Sequence, residues 1–257
     1  MSQTVVDCVI THQSVERHFV DTNTQPGEIR FRIGSVPVII QPYFWLTAVI
    51  LSSGWFNMEP RPWPVFTFIL GVFVSILIHE LGHTWLGMSF GARDVCIRLT
   101  GMGGEAAGAN ISSLWWKRVL VTFAGPAIQL ILAGLLHLLI FHTEFLGKEH
   151  PIFAIFVFQV YLVSLLWGLI NLIPIFPLDG GRIVLEILQR TIPSQSEKLS
   201  ALLSICLLIG ILYYIYNFAH QYFSIFNMLI LGLLAITNLE RLQRATARRD
   251  DSADWRS

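Results

Sequence analysis

The feature that most constrains this chain is an H-E-x-x-H motif, residues 79–83, set inside a long apolar run. Residues four apart on an α-helix lie one above the other, so His79 and His83 can present their imidazoles to one metal ion. Glu80 lies beside that face, where its carboxylate can take a proton from a metal-bound water. The motif therefore predicts a metal-dependent hydrolytic site on a helix.

The composition indicates that this helix lies in a membrane. Charged residues make up 13% of the 257 residues and apolar residues 54%, whereas about 25% of residues are charged in soluble globular proteins. Ionisable side chains within a membrane are costly unless they are paired or bind a metal, so three of them in one apolar helix indicate a functional site. Basic and acidic residues number 17 each, and we predict no nucleic-acid partner.

Long uncharged segments predict six membrane spans, which makes the chain an all-α polytopic membrane protein embedded in the lipid bilayer. The last uncharged stretch, 199–239, would be about 60 Å long as one helix, twice the thickness of a bilayer core, so we divide it in two. The predicted bounds of the spans are about 36–56, 64–90, 117–141, 151–175, 199–217 and 221–239.

The segments outside the spans predict a small β element near the cytoplasmic face. In the N-terminal segment 1–35, charged and apolar residues alternate over residues 28–34, as in a short strand. A second strand is predicted at residues 95–99. The Gly-rich segment 101–104 that follows is either a flexible loop or a bent edge strand able to pair with an extended peptide. The charged tail, 240–257, is predicted to be disordered.

The distribution of basic residues predicts the orientation. If the N-terminus is cytoplasmic, all of the 17 lysines and arginines except Arg61 and Lys148 fall in cytoplasmic segments, as the positive-inside rule requires. Both termini are therefore predicted to be cytoplasmic. Spans two and four then run in the same direction, so the H-E-x-x-H motif and Asp179 reach the same leaflet.

A catalytic zinc ion takes three protein ligands and keeps a fourth position for water. His79 and His83 supply two ligands, and we predict Asp179, at the end of span four, as the third. Glu105 and Glu186 remain alternatives, because Asp-Gly-Gly is also an ordinary turn sequence. One zinc ion per chain would lower the pKa of its bound water to about 7 and make a hydroxide nucleophile at neutral pH.

Two motifs in this order resemble the site-2 protease family of intramembrane zinc metalloproteases. They are the sequence 79–83 and the sequence 171–181, which matches N-x-x-P-x-x-P-x-D-G. Residues 123–126, Phe-Ala-Gly-Pro, and the Gly-rich segment also fit. The resemblance covers about residues 31–190, and no stretch is long enough for a PDZ domain or a CBS pair. It implies a minimal member, similar to those of prokaryotic cytoplasmic membranes.

The resemblance also implies roles for individual residues. His79, His83 and Asp179 would bind zinc, and Glu80 would be the catalytic base. Asn171 would stabilise the oxyanion or hold the substrate backbone, since a side-chain amide N–H can face a developing negative charge.

One position departs from the family pattern, and its role is left open. Gln129 stands three residues after the proline of A-G-P, where the family usually has Asn. The substrates that the resemblance implies are single-span membrane proteins or remnant signal peptides, cleaved near the cytoplasmic side during regulated intramembrane proteolysis. The sequence makes no prediction of the oligomeric state.

Two other function classes compete with the protease. A catalytically inactive zinc-binding membrane protein would not need Glu80, which is present. A metal transporter would need polar residues that lead through the outer leaflet to the site, and spans two and four are almost purely apolar there. Both observations favour the protease.

Overall fold

The computed structural model describes residues 26–52, 62–101, 103–109, 113–142, 151–218 and 225–254. The chain divides into two compact units, a first unit of residues 1–113 and 124–168 and a second unit of residues 114–123 and 169–257. The elements within the described ranges are β1 (Ile29–Ile33), β2 (Val36–Ile40), α1 (Pro42–Leu51), α2 (Trp63–Ser89), β3 (Arg93–Thr100), β4 (Gly103–Ala109), α3 (Trp115–His142), α4 (Pro151–Asn171), α5 (Asp179–Thr191), α6 (Ser196–Phe218) and α7 (Ile225–Asp254).

Four helices of the described part are long and apolar enough to cross a membrane. They are α2, α3, α4 and the helical segment Pro193–Phe218, which ends in α6. The chain is therefore an integral membrane protein, but the six predicted spans are not all confirmed. Helix α4 ends at Asn171, four residues before the predicted end of span four.

The first predicted span, 36–56, differs from the structure. Its first five residues form strand β2, in which every residue is buried, and helix α1 that follows has only ten residues. The run Val-Pro-Val-Ile-Ile is rich in β-branched residues, which favour a buried strand, and Pro42 occupies the first turn of α1. Ten helical residues measure about 15 Å, half of a bilayer core.

The charged C-terminal tail also differs from its prediction. Helix α7 continues past residue 240 as far as Asp254, where disorder was expected. An ion pair between Glu240 and Arg244, 2.9 Å long and four residues apart, is of the kind that supports an exposed helix.

The predicted β element is confirmed as a four-stranded sheet in the order β1-β2-β3-β4. Strands β1 and β2 form an antiparallel hairpin, β2 and β3 are parallel, and β3 and β4 are antiparallel. The described glycines of the Gly-rich segment belong to the β3–β4 turn and to β4, which is an edge strand. Of the two alternatives for this segment, the structure therefore has the edge strand.

The parallel pairing fixes where the sheet lies in the first unit. Strand β3 begins four residues after the end of α2, so its partner β2 must lie at the C-terminal end of that helix. The hairpin β1–β2 is thus at the same end of α2 as the H-E-x-x-H motif. The core of this unit joins the sheet to α1 and α2 through buried side chains that include Val38, Ile97, Phe44, Val72 and Ile76.

At Gly82, the backbones of helices α2 and α3 approach each other closely. A Cβ added to Gly82 would lie 2.7 Å from the carbonyl oxygen of Ala124 and 2.8 Å from a methyl group of Ile128. Small residues allow this backbone approach in membrane helices, where packing rather than the hydrophobic effect holds helices together. The middle of the H-E-x-x-H motif is therefore also a helix-packing position.

In the second unit, an irregular loop of residues 172–178 connects α4 to α5. Ile175 in this loop is 1% exposed and packs with Leu208 of α6 and Leu234 of α7. The loop is thus anchored on the last two described helices of the chain.

Candidate metal centre

The two histidines of α2 lie on one face of the helix, as their spacing predicts. Their Nε2 atoms are 3.0 Å apart, and His79 is 3% exposed. Two imidazoles bound to one tetrahedral zinc at about 2.0–2.1 Å hold their nitrogens roughly 3.3 Å apart. The observed separation fits two ligands of a single ion.

The carboxylate of Glu80 lies beside this pair. Its Oε1 is 4.0 Å from Nε2 of His79, and candidate ligand atoms of the two histidines and Glu80 all lie within 4.8 Å of one another. The 4.0 Å distance exceeds the roughly 3.3 Å expected between two ligands of one tetrahedral ion. This position suits a base that reaches the ion through a water molecule.

Helix α3 presents bare backbone to the imidazoles. A Cβ on Gly125 would overlap Nε2 of His83 and would lie 2.9 Å from Cε1 of His79. Gly125 is the glycine of the Phe-Ala-Gly-Pro sequence, so this motif has a direct structural role. Any side chain at this position would push both rings away from α3.

Gln129, also on α3, fixes the orientation of the His79 ring. Its Oε1 lies 2.8 Å from Nδ1 of His79, while its Nε2 donates to the carbonyl oxygen and the hydroxyl of Ser75 at 3.1 and 2.9 Å. Because the amide oxygen is an acceptor, Nδ1 of His79 carries the proton and Nε2 keeps its lone pair for a metal. The sequence showed Gln129 only as a departure from a pattern.

The network continues from Ser75 to a third helix. The hydroxyls of Ser75 on α2 and Ser164 on α4 are 2.9 Å apart, and both side chains are buried. A signal for part of this network exists in the sequence, since Ser75 precedes His79 by four residues and shares its helix face. The contact of Gln129 with His79, across 50 residues, has no such signal.

Strand β4 lies against the side chain of Glu80. A Cβ on Gly104 would overlap the side chain of Glu80, so only glycine allows the two to be this close. Successive residues of a strand point to opposite faces, and Glu105 therefore points away from Glu80 and is exposed. This direction does not suit the alternative of Glu105 as a metal ligand.

Glu186, the other alternative ligand, is held in an ion pair in the second unit. Its carboxylate lies 2.8 Å from Nη2 of Arg118 and 2.9 Å from Nε of the same guanidinium. A carboxylate engaged in this way would have to leave Arg118 before it could bind a metal.

Asp179 and Asn171 lie at the two ends of the loop 172–178. Asn171 is the last residue of α4 and Asp179 the first of α5, and they are 8% and 7% exposed. A Cβ on Gly180 or Gly181 would overlap the backbone of Leu172 or of Ile175 and Phe176, respectively. The Asp-Gly-Gly sequence is thus a helix start packed directly on the loop, and not an ordinary turn.

Comparison with known proteins finds a family model and relatives to which the chain is similar. The model of peptidase family M50 matches residues 147–211. The chain is 30% identical over 160 residues to a zinc metalloprotease of Methanocaldococcus jannaschii, covering 62% of this chain and 45% of that protein. It is 29% identical over 176 residues to stage IV sporulation protein FB of Bacillus subtilis, covering 66% and 55%. The chain is therefore similar to peptidase family M50 and to these proteins over the residues matched.

A solved structure resembles this chain at the level of the fold. The site-2 protease from Methanocaldococcus jannaschii is 24% identical, with a TM-score of 0.55 over 86% of this chain and 94% of that one. The chain spans about half the length of the curated relatives it matches. The family and the names of the relatives indicate zinc as the cofactor.

Replacement of Gln129 by Leu should weaken zinc binding about 10- to 100-fold, the usual effect of removing a group that orients a metal-binding histidine. Competition with a chelator of known affinity, on the purified protein in detergent, measures the change.

Gln159→Leu is the matched control for this variant. Gln159 is equally buried and donates to the carbonyl oxygen of Pro64 at 2.8 Å, so its replacement also removes a buried amide but leaves His79 alone. Equal zinc affinity in the two variants would contradict the role of Gln129.

Proposed function

We propose that this chain is an intramembrane zinc metalloprotease that hydrolyses peptide bonds within or near transmembrane segments of membrane proteins. The observation that carries the proposal is the pair of imidazoles with converging Nε2 atoms, with a buried carboxylate beside them, on a helix apolar enough to span a membrane. A hydrolytic site in this setting acts on peptide bonds that soluble proteases do not reach.

The chemistry follows from the positions of the side chains. Zinc held by the histidines would supply an activated water as the nucleophile. Glu80 accepts the proton of that water and delivers it to the nitrogen of the leaving amine. Its burial helps, because a charge in a water-poor site interacts more strongly with the groups around it.

Asp179 is our proposed third ligand, and Asn171 our proposed oxyanion donor. Support for Asp179 comes from its burial at a constrained helix start and from the weakness of its competitors, since Glu105 points away and Glu186 pairs with Arg118. The amide of Asn171, buried at the end of α4, can donate an N–H to the negative oxygen that forms during attack.

The proposed substrates are single-span membrane proteins or signal peptides, which must unwind locally because a helix hides its amide groups. Strand β4 offers an edge to the unwound segment. Thr100 and Gly103 are paired across a two-residue connection, and residues paired in this way exchange backbone hydrogen bonds. Because hydrogen-bonded positions alternate along an antiparallel strand, the N–H groups of Gly104 and Ala106 point outward, away from β3. A substrate strand paired there would pass beside Glu80.

We place this reaction on the cytoplasmic side of a prokaryotic membrane.

Glu80→Gln should keep zinc and lower the rate of cleavage about 10²- to 10⁴-fold, because only the general base is removed. Membrane proteomes of cells that carry either form should reveal single-span proteins that accumulate with the variant, and metal analysis of the purified protein gives the zinc content. Glu105→Gln is the control. Unchanged processing in the variant would contradict the protease, and metal flux into liposomes that survives the change would favour a transporter.

Asp179→Ala should reduce zinc affinity at least as strongly as the loss of one histidine, whereas Glu105→Ala and Glu186→Ala should leave it unchanged. Chelator competition on the three purified variants ranks the candidate ligands directly. Loss of zinc in either glutamate variant, with binding retained in Asp179→Ala, would reassign the third ligand.

Ala106→Pro should slow cleavage while zinc stays bound, because proline removes the outward N–H from the edge of β4. Ala106→Ser keeps that N–H and should cleave at the rate of the unmodified chain. Turnover of a substrate identified as above, together with the zinc content, tests the expectation. Equal turnover of the two variants would exclude strand pairing at this edge.

A further inference from the structure

We infer that α6 and α7 hold in place the loop 172–178 that leads into Asp179, and that Ser204, Asn238 and Arg241 are positioning residues for this aspartate. The inference rests on the proposed role of Asp179 in zinc binding. It gives a function within the site to two helices in which the sequence shows no functional motif.

All three side chains act on one residue of the loop, Phe176. The N–H of Phe176 donates to the hydroxyl of Ser204 on α6 at 3.1 Å. Its carbonyl oxygen accepts from Nδ2 of Asn238 on α7 at 2.6 Å. The guanidinium of Arg241, one turn further along α7, lies 3.8 Å from the centre of the Phe176 ring. Backbone and side chain of Phe176 are therefore both fixed.

Two of the three side chains are fully buried, and the third is held by an ion pair. Ser204 and Asn238 have no exposed surface, and the guanidinium of Arg241 forms an ion pair of 2.6 Å with Glu197 at the start of α6. In a membrane protein, backbone outside a helix has to find hydrogen-bond partners inside the protein. Ser204 and Asn238 supply those partners at Phe176, where the loop between α4 and α5 leaves the regular structure.

The position of Phe176 is passed on to Asp179 through the backbone. Gly180 and Gly181 pack so closely on the loop that neither has room for a Cβ, and the obstructing atoms at Gly181 include the amide nitrogen of Phe176. A displacement of Phe176 would therefore displace the first turn of α5, which begins with Asp179. The three residues act on the metal site through this contact.

Two substitutions test the inference with zinc itself as the probe. Asn238→Leu removes the donor to Phe176, and Arg241→Gln removes the stacked guanidinium. Each should weaken zinc binding about tenfold, the lower end of the range for groups that orient a metal ligand. Chelator competition gives the affinity, and the thermal midpoint in detergent shows whether the variant is folded.

The chain offers a matched control for each variant. Asn217 on α6 is exposed and donates to the carbonyl oxygen four residues earlier, as Asn238 also does, but it does not bond to the loop. Arg244 on α7 pairs with Glu240 and lies on the exposed surface. Asn217→Leu and Arg244→Gln should bind zinc like the unmodified chain.

A double variant separates positioning from a general loss of stability. In the Asp179→Asn background, Asn238→Leu or Arg241→Gln should cause no further loss of zinc affinity, because their effect passes through the aspartate. If Asn238→Leu does not fold, Arg241→Gln carries the test, since its side chain lies at the partly exposed end of the contact.

Two results overturn the inference. The first is a zinc affinity that is unchanged in folded Asn238→Leu and Arg241→Gln but lowered in Asp179→Ala. This result would leave the proposed function intact. The second is a loss of zinc affinity in the Asp179→Asn background as large as in the unmodified chain. This result would show that these residues contribute to stability alone. The proposed ligand role fails separately, if Asp179→Ala itself binds zinc like the unmodified chain.

Discussion

The direct backbone contact between α2 and α3 is the interaction on which the metal centre depends. At Gly82, the middle of the motif on α2 touches the carbonyl group of Ala124, and at Gly125 the backbone of α3 touches both imidazoles. Since Gly125 has no side chain between its backbone and the rings, neither ring can move toward α3. The positions of the rings are therefore set by the distance between two helix backbones. Helix backbones move much less easily than side chains rotate.

The same contact brings Gln129 into reach of His79. Gln129 lies one helical turn after Gly125, on the face of α3 that meets α2, and its amide bridges His79 and Ser75. Buried polar groups of this kind stabilise a single arrangement only when all of their hydrogen bonds are formed. A rotated His79 ring would leave its Nδ1 without an acceptor, and the apolar surroundings offer no replacement. The surroundings therefore help to keep the ring in a single orientation.

The sequence predicts the parts of this protein that depend on local spacing and fails where distant segments meet. The four-residue spacing of His79 and His83 and the apolar run of α2 are local signals, and the structure confirms both. The stretch 36–40 is uncharged and apolar, a pattern that suits a buried strand as well as a buried helix. Its strand form depends on pairing with β3, some 60 residues later, and no local signal reports that pairing.

Contacts of long range also explain why the sequence shows no role for the last two helices of the second unit. Ser204, Asn238 and Arg241 lie 28, 62 and 65 residues from Phe176, and each looks like an ordinary helix residue in the sequence. Only the three-dimensional structure shows that they meet at one loop residue. Pro174 and Pro177 keep residues 172–178 of the motif out of helical geometry, so this loop cannot satisfy all of its own backbone groups. Other helices therefore supply the missing partners, as Ser204 and Asn238 do at Phe176.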